Sequence, residues 1–135
     1  MKKEHFIDLN KKAEVILKPQ SKKLLHFYPE HIPEFKVDCL HQNEIIAEKV
    51  QATCNRYKPR DYLDLYYIIK RKLPISRSLV QKKFALIDKE FSVELLFKKT
   101  NRIYNEWNSD TAFLVRTKVP FAEVMQTLKK HFKYK

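Results

Sequence analysis

The sequence predicts an α+β chain, with a short antiparallel or mixed sheet at the N-terminus followed by a mostly helical region. Three observations carry that expectation. Short apolar runs, some alternating with polar residues, lie before residue 40. Behind residue 40, apolar residues recur at three- and four-residue spacing. Pro59, Pro74 and Pro120 fall where those helical periods start or stop. The expected seam separates a strand region, residues 1–40, from a helical region, residues 41–135.

Each element has its own warrant. FIDLN, residues 6–10, alternates loosely, with Phe6, Asp8 and Asn10 on one face and Ile7 and Leu9 on the other. AEVIL, residues 13–17, is a second short apolar run, and KPQSKK then breaks the pattern. LLHFY, residues 24–28, reads as a third strand or a helical turn, followed by an irregular passage between Pro29 and Pro33. FKVDCL, residues 35–40, reads as a strand with Phe35, Val37 and Cys39 on its inner face.

Helical spacing begins near His41 and runs to Arg56 through Ile45, Ile46, Lys49, Val50 and Thr53. A second helix runs from Pro59 to Arg71 with Tyr62, Leu65, Tyr66 and Ile69 on one face. Ser78 is a candidate cap for a third helix through Lys89, with Leu79, Phe84 and Ile87 in the core. Ser92 is a candidate cap for a fourth, reaching Glu106. In residues 107–118, NSD reads as a turn or cap and AFLVR as a short helix or strand. Pro120 opens a last helix with Phe121, Val124, Met125 and Leu128 facing inward.

Composition narrows the chemistry. The chain has 135 residues, 44% of them apolar and 13% aromatic, which suits one modest core and excludes a disordered sequence. Glycine is absent, so there is neither a P-loop nor a glycine-rich dinucleotide fingerprint. A formal charge of +12 favours anionic partners: nucleic acid, nucleotide phosphates or an acidic protein. A lysine-rich solvated surface accounts for the same charge. Cys39 and Cys54 are too few for a disulfide framework, which fits a cytoplasmic setting. No apolar run approaches the roughly 20 residues that span a bilayer, so no membrane is expected. The five histidines are scattered without metal-ligand spacing.

Residues 45–71, IIAEKVQATCNRYKPRDYLDLYYIIKR, concentrate the polar chemistry. Asp61 and Asp64 lie three apart on one helix, and Arg60 is spaced to pair with Asp64. Lys49 lies among Ile45, Ile46 and Val50, so its stem can follow a packed face and expose only the amine. An antiparallel hairpin brings that amine toward Asp61 and Asp64. One reading is structural: ion pairs that start a helix and tie it to its neighbour. The other is a site in which the lysine holds a carboxylate or grips a triphosphate, with magnesium shared between carboxylates and phosphate oxygens. Tyr57 and Tyr62 are candidates for stacking on a base. Asp8 is either a cleft-facing carboxylate or a solvent-facing one.

These residues carry a resemblance. IIAEKVQA followed by RYKPRDYLDLYYI resembles the AbiEii/AbiGii-type nucleotidyltransferase toxin family, whose members carry an E-hh-AEK-hhA helix and then R-x-x-x-RD-hhDLY, where h is apolar. Glu44, Ala47, Glu48, Lys49 and Ala52 match the first piece; Arg56, Arg60, Asp61, Asp64, Leu65 and Tyr66 match the second. The resemblance implies a partial nucleotidyltransferase-like core. It implies nucleotide or phosphate contact through Lys49, Arg56, Arg60 and Asp61, and catalytic roles for Asp64 and Asp8. It also implies Mg2+ and a nucleoside triphosphate as cofactor and substrate, with RNA or an acidic antitoxin as partner.

The family's glycine-containing GGT segment and its DxD pair do not occur in this sequence. That departure leads to the expectation of a truncated, C-terminal portion of a family member, inactive alone. Asp8 would then bind metal only if the missing segment were supplied, and exposed N-terminal strands would invite self-association. A basic binding module for RNA or an acidic antitoxin, and a purely structural helical domain, are the alternatives.

Overall fold

The structure is a computed structural model that describes residue 9, residues 14–25, 27–28 and 30–135. It comprises two compact units, Met1–Leu40 and His41–Lys135. An N-terminal antiparallel two-stranded sheet is followed by a mostly helical region, as the sequence predicts at that level.

In the first unit, β1 (Gln20–Lys23) pairs antiparallel with β2 (Lys36–Cys39), in the register Gln20 to Cys39 through Lys23 to Lys36. The ladder extends one step further, with the Leu24 amide donating to the Phe35 carbonyl at 3.0 Å. β2 falls inside the predicted FKVDCL strand, and its half-buried Val37 and Cys39 alternate with exposed Lys36 and Asp38. β1 falls in KPQSKK, which the apolar pattern marks as a break; Glu14–Leu17 and the described residues of LLHFY, Leu24, Leu25, Phe27 and Tyr28, form no strand. Backbone pairing with β2 defines this ribbon rather than burial, so β1 carries no alternating apolar signature. Asp8 and most of FIDLN lie outside the described residues. Leu25, Phe27 and Tyr28 are exposed.

The second unit is six helices: α1 (Gln42–Arg56), α2 (Pro59–Lys70), α3 (Arg77–Ala85), α4 (Glu94–Phe97), α5 (Thr100–Thr111) and α6 (Phe121–Phe132). His41 caps α1 by accepting the Asn43 amide on Nδ1 at 3.1 Å. α1 ends at Tyr57, whose left-handed backbone (φ 51°, ψ 46°) turns the chain without glycine. Pro59 then opens α2. The Arg60 amide at that helix start donates to Asp110 Oδ2 of α5 at 3.2 Å, so the cap comes from another helix.

α2 packs against α1, α5 and α6 and forms the middle of the unit. Tyr62, Leu65, Leu96, Ile103, Val124 and Leu128 are among its fully buried side chains. The Tyr62 hydroxyl donates to the Leu96 carbonyl at 2.6 Å, tying α2 to α4. Tyr62→Phe removes that donor from a buried carbonyl and is expected to cost about 1 kcal/mol. Urea denaturation checks it, and an unchanged midpoint would show the bond adds nothing.

Several boundaries differ from expectation for local reasons. α3 is capped by Ser76, not Ser78, with Ser76 Oγ accepting the Leu79 amide at 3.2 Å. It stops at Ala85, after which Asp88 adopts a left-handed φ of 55°, and Ile87 is left 41% exposed rather than in the core. The predicted fourth helix is two. Lys99 (φ −119°, ψ 40°) leaves helical geometry, and the Thr100 hydroxyl donates back to the Phe97 carbonyl at 2.8 Å. NSD continues α5 instead of capping a new element, and AFLVR is neither helix nor strand. α6 starts after Pro120 as predicted, with Val124, Met125 and Leu128 inward.

Candidate functional site

The α1–α2 hairpin brings four of the predicted residues together. Lys49 leaves α1 with a side chain 28% exposed, and its amine meets Asp61 Oδ1 at 3.4 Å and Asp64 Oδ2 at 2.8 Å. Arg56, at the last turn of α1, donates from Nη2 to the same Asp61 oxygen at 2.8 Å. The lysine stem packs while the amine emerges, as the apolar neighbours predict. Asp64 pairs with Lys49, not with Arg60 as the spacing suggested. Arg60 is exposed at the start of α2.

The two aspartates differ in setting. Asp61 is 1% exposed, and its Oδ2 is buried without a hydrogen-bond partner. Asp64 faces solvent. Beside it an open groove of about 370 Å³ is lined by Lys49, Asp64, Tyr67, Ile68, Arg71 and Leu73. Burial draws the Lys49 ammonium down, but the Asp64 hydrogen bond and the charges of Asp64 and Asp61 outweigh it. The pKa therefore sits above the ordinary 10.5. Lys49 is a permanent cation at the mouth of a groove that also holds Arg71.

The tyrosines do something else. Tyr62 is fully buried, so its ring has no face for a base. Tyr57 is 8% exposed, and Lys99 Nζ lies 5.1 Å from its ring centre. The Tyr62 ring is thus closed to stacking, while Tyr57 lines a different groove, together with Asn55 and Leu95. Among the residues of the groove beside Lys49, Tyr67 is the aromatic.

A second charge cluster was not legible in the sequence. Lys83 of α3 is 3% exposed, and its amine meets Glu44 Oε1 at 2.7 Å and Glu48 Oε1 at 2.9 Å. The Lys83 carbonyl also accepts from Gln51 Nε2 at 2.7 Å. The two acids that precede Lys49 in the motif therefore anchor α3 to α1. Lys83 sits in an unremarkable QKKF stretch, and only the fold reveals its partners. Burial lowers its pKa, but the hydrogen bonds and charges of Glu44 and Glu48 raise it further, to a net value above 10.5.

Alkaline stability follows. Groups with raised folded pKa values contribute fully below their unfolded values and lose that contribution as pH rises through the folded ones. Cys54, 5% exposed, is pushed by burial from 9.0 up to about 12 and acts in the same direction. Unfolding free energy is expected to hold up to about pH 9 and then fall progressively toward pH 12. Urea titrations across that range check this. Cys54→Ala should flatten the first part of the decline, and a curve with no decline would contradict the assignment.

Among the described residues there is no group of three or more His, Cys, Asp or Glu side chains that could hold a metal ion. Both hairpin carboxylates are engaged by cations, Asp61 by Lys49 and Arg56 and Asp64 by Lys49. The hairpin therefore does not fit a resident magnesium, because its two carboxylates are already matched by two cations. Asp8, the other expected acid, lies outside the described residues. No helix among the described residues is long and apolar enough to cross a membrane.

A family model described as nucleotidyl transferase AbiEii toxin, type IV toxin–antitoxin system, matches residues 4–130. No curated protein and no solved structure matches. The expectation of a truncated, C-terminal portion is overturned by that match. It runs through the strand region as well as the hairpin, over nearly the whole 135-residue chain.

Proposed function

The chain belongs to the AbiEii nucleotidyl transferase toxin family, and from that premise we propose that its α1–α2 hairpin grips the triphosphate of a nucleoside triphosphate. An acceptor hydroxyl then loses its proton and attacks the α-phosphorus, forming the new phosphoester bond as the α–β phosphoanhydride breaks and pyrophosphate leaves. One observation carries the reading: the Lys49 amine is fixed at a groove mouth beside Arg56, with Arg71 along the same groove. Lysine serves as a point charge for phosphate, while arginine offers a planar fork. Exposed Arg60 adds charge near the start of α2. We assign the acceptor hydroxyl to Asp64, a reading supported by its exposure and its position next to that amine.

Magnesium would come with the triphosphate as part of the substrate and would neutralise charge there, rather than at a site on the hairpin. The hairpin's own share is to hold the phosphates and orient them. A charge of +12 supports RNA as the acceptor, and the family's toxin–antitoxin setting supports a separately encoded antitoxin as a further partner.

The test is equilibrium binding of each nucleoside triphosphate to the full chain, followed by incubation with α-labelled nucleotides, magnesium and bulk RNA. Affinity is expected to fall from tri- to di- to monophosphate and to weaken with salt. RNA labelling should vanish in Asp64→Ala. A folded protein that binds no triphosphate would sink the reading.

A further inference from the structure

The two hairpin aspartates share Lys49 but cannot share a role. The Asp61 side chain is 2% exposed and the Asp64 side chain 52%. A buried carboxylate neither reaches a phosphate nor attracts one. Asp61 Oδ1 instead receives Lys49 Nζ at 3.4 Å and Arg56 Nη2 at 2.8 Å, so a single buried atom holds two cations from one face of α1. Both are long side chains that lose considerable rotamer freedom when they order around a ligand. Pinning them to a fixed anchor removes that loss before the ligand arrives.

Asp64 stands on the solvent side of the same amine, at 2.8 Å, on the wall of the groove. It sits where a phosphate oxygen would meet Lys49, and exposed ion pairs of this kind are weak and easily exchanged.

We propose that Asp61 is the positioning residue of the phosphate grip, aiming Lys49 and Arg56 together, and that Asp64 is an exchangeable counter-ion which an incoming phosphate displaces from Lys49. This rests on the reading of the hairpin as a triphosphate grip and assigns its two acids opposite effects on binding.

Opposite signs make the test decisive. Asp61→Asn removes a negative charge beside two cations. If charge alone mattered, inorganic triphosphate would bind more tightly. Positioning predicts at least tenfold weaker binding by calorimetry. Asp64→Asn, by contrast, is expected to bind triphosphate equally well or a few-fold more tightly, while losing transfer. Unchanged or tighter binding in Asp61→Asn overturns the proposal, as does weaker binding in Asp64→Asn.

If Asp61→Asn fails to fold, Lys49→Met and Arg56→Gln decide the matter, alone and combined. The two cations act as one grip if their effects on triphosphate affinity are non-additive by fivefold or more; strict additivity overturns the proposal. A wild-type protein that binds no triphosphate refutes the grip itself. The positioning claim is then read from the 15N resonance of the Lys49 ammonium. Releasing the shared oxygen in Arg56→Gln should shift that resonance, and an unmoved signal overturns the claim.

Discussion

Lys83→Met is expected to lower the melting temperature by more than about 10 °C. Lys83 is 3% exposed, and its ammonium meets Glu44, which is fully buried, at 2.7 Å. Removing the cation leaves the Glu44 carboxylate buried without its ammonium, and breaking a buried pair on one side costs about 3–5 kcal/mol. In a helical unit of this size, each kcal/mol moves the midpoint by about 4–8 °C. Pairing Lys83→Met with Glu44→Leu should recover most of the loss, because an apolar pair of similar volume is often neutral or better. Thermal denaturation followed by circular dichroism checks both. A single variant within 3 °C of wild type would show that the cluster does not hold α3.

Lys49→Met is expected to weaken nucleoside triphosphate binding by roughly 10- to 100-fold, the worth of a charged hydrogen bond of about 1.5–3 kcal/mol. Its effect on folding should be small by comparison. The Lys49 stem can be replaced by methionine, and Asp61 keeps Arg56 at 2.8 Å. Lys49→Arg should keep part of the affinity, since charge survives while the reach of the group changes. The contrast with Lys83→Met is the useful one: two lysines, each bridged to two acids, differ in whether a groove opens beside them. A Lys49→Met protein that melts far below wild type and binds as wild type would reverse the two assignments.

Much of the helical unit is legible in the sequence because its signals are local. Pro59 and Pro120 open helices, and Val124, Met125 and Leu128 share an inward face. The meeting of Lys49 with Asp61 and Asp64 is legible too, because a two-residue link between α1 and α2 leaves the hairpin few ways to fold back. What fails is non-local. Lys83 becomes a partner of Glu44 and Glu48 only once α3 packs on α1. Tyr62 reads as a ligand-facing ring until Leu96, 34 residues away, takes its hydroxyl. β1 has no apolar period to detect, since its partner strand defines it. The strand-region acid, Asp8, stays outside the described residues. The missing glycine and DxD signals suggested a fragment, yet the family match spans residues 4–130.

The left-handed backbone at Tyr57, Lys72, Asp88 and Lys133 has a consequence for the unfolded chain. A sequence with no glycine meets every such turn with a residue that carries a Cβ, at a native-state cost of roughly 1 kcal/mol apiece. The same choice narrows the denatured ensemble, because each of these positions has fewer conformations to surrender on folding. The chain thus trades strain at its helix ends for a stiffer disordered state, and glycine placed at Lys72 or Lys133 would relax one while loosening the other.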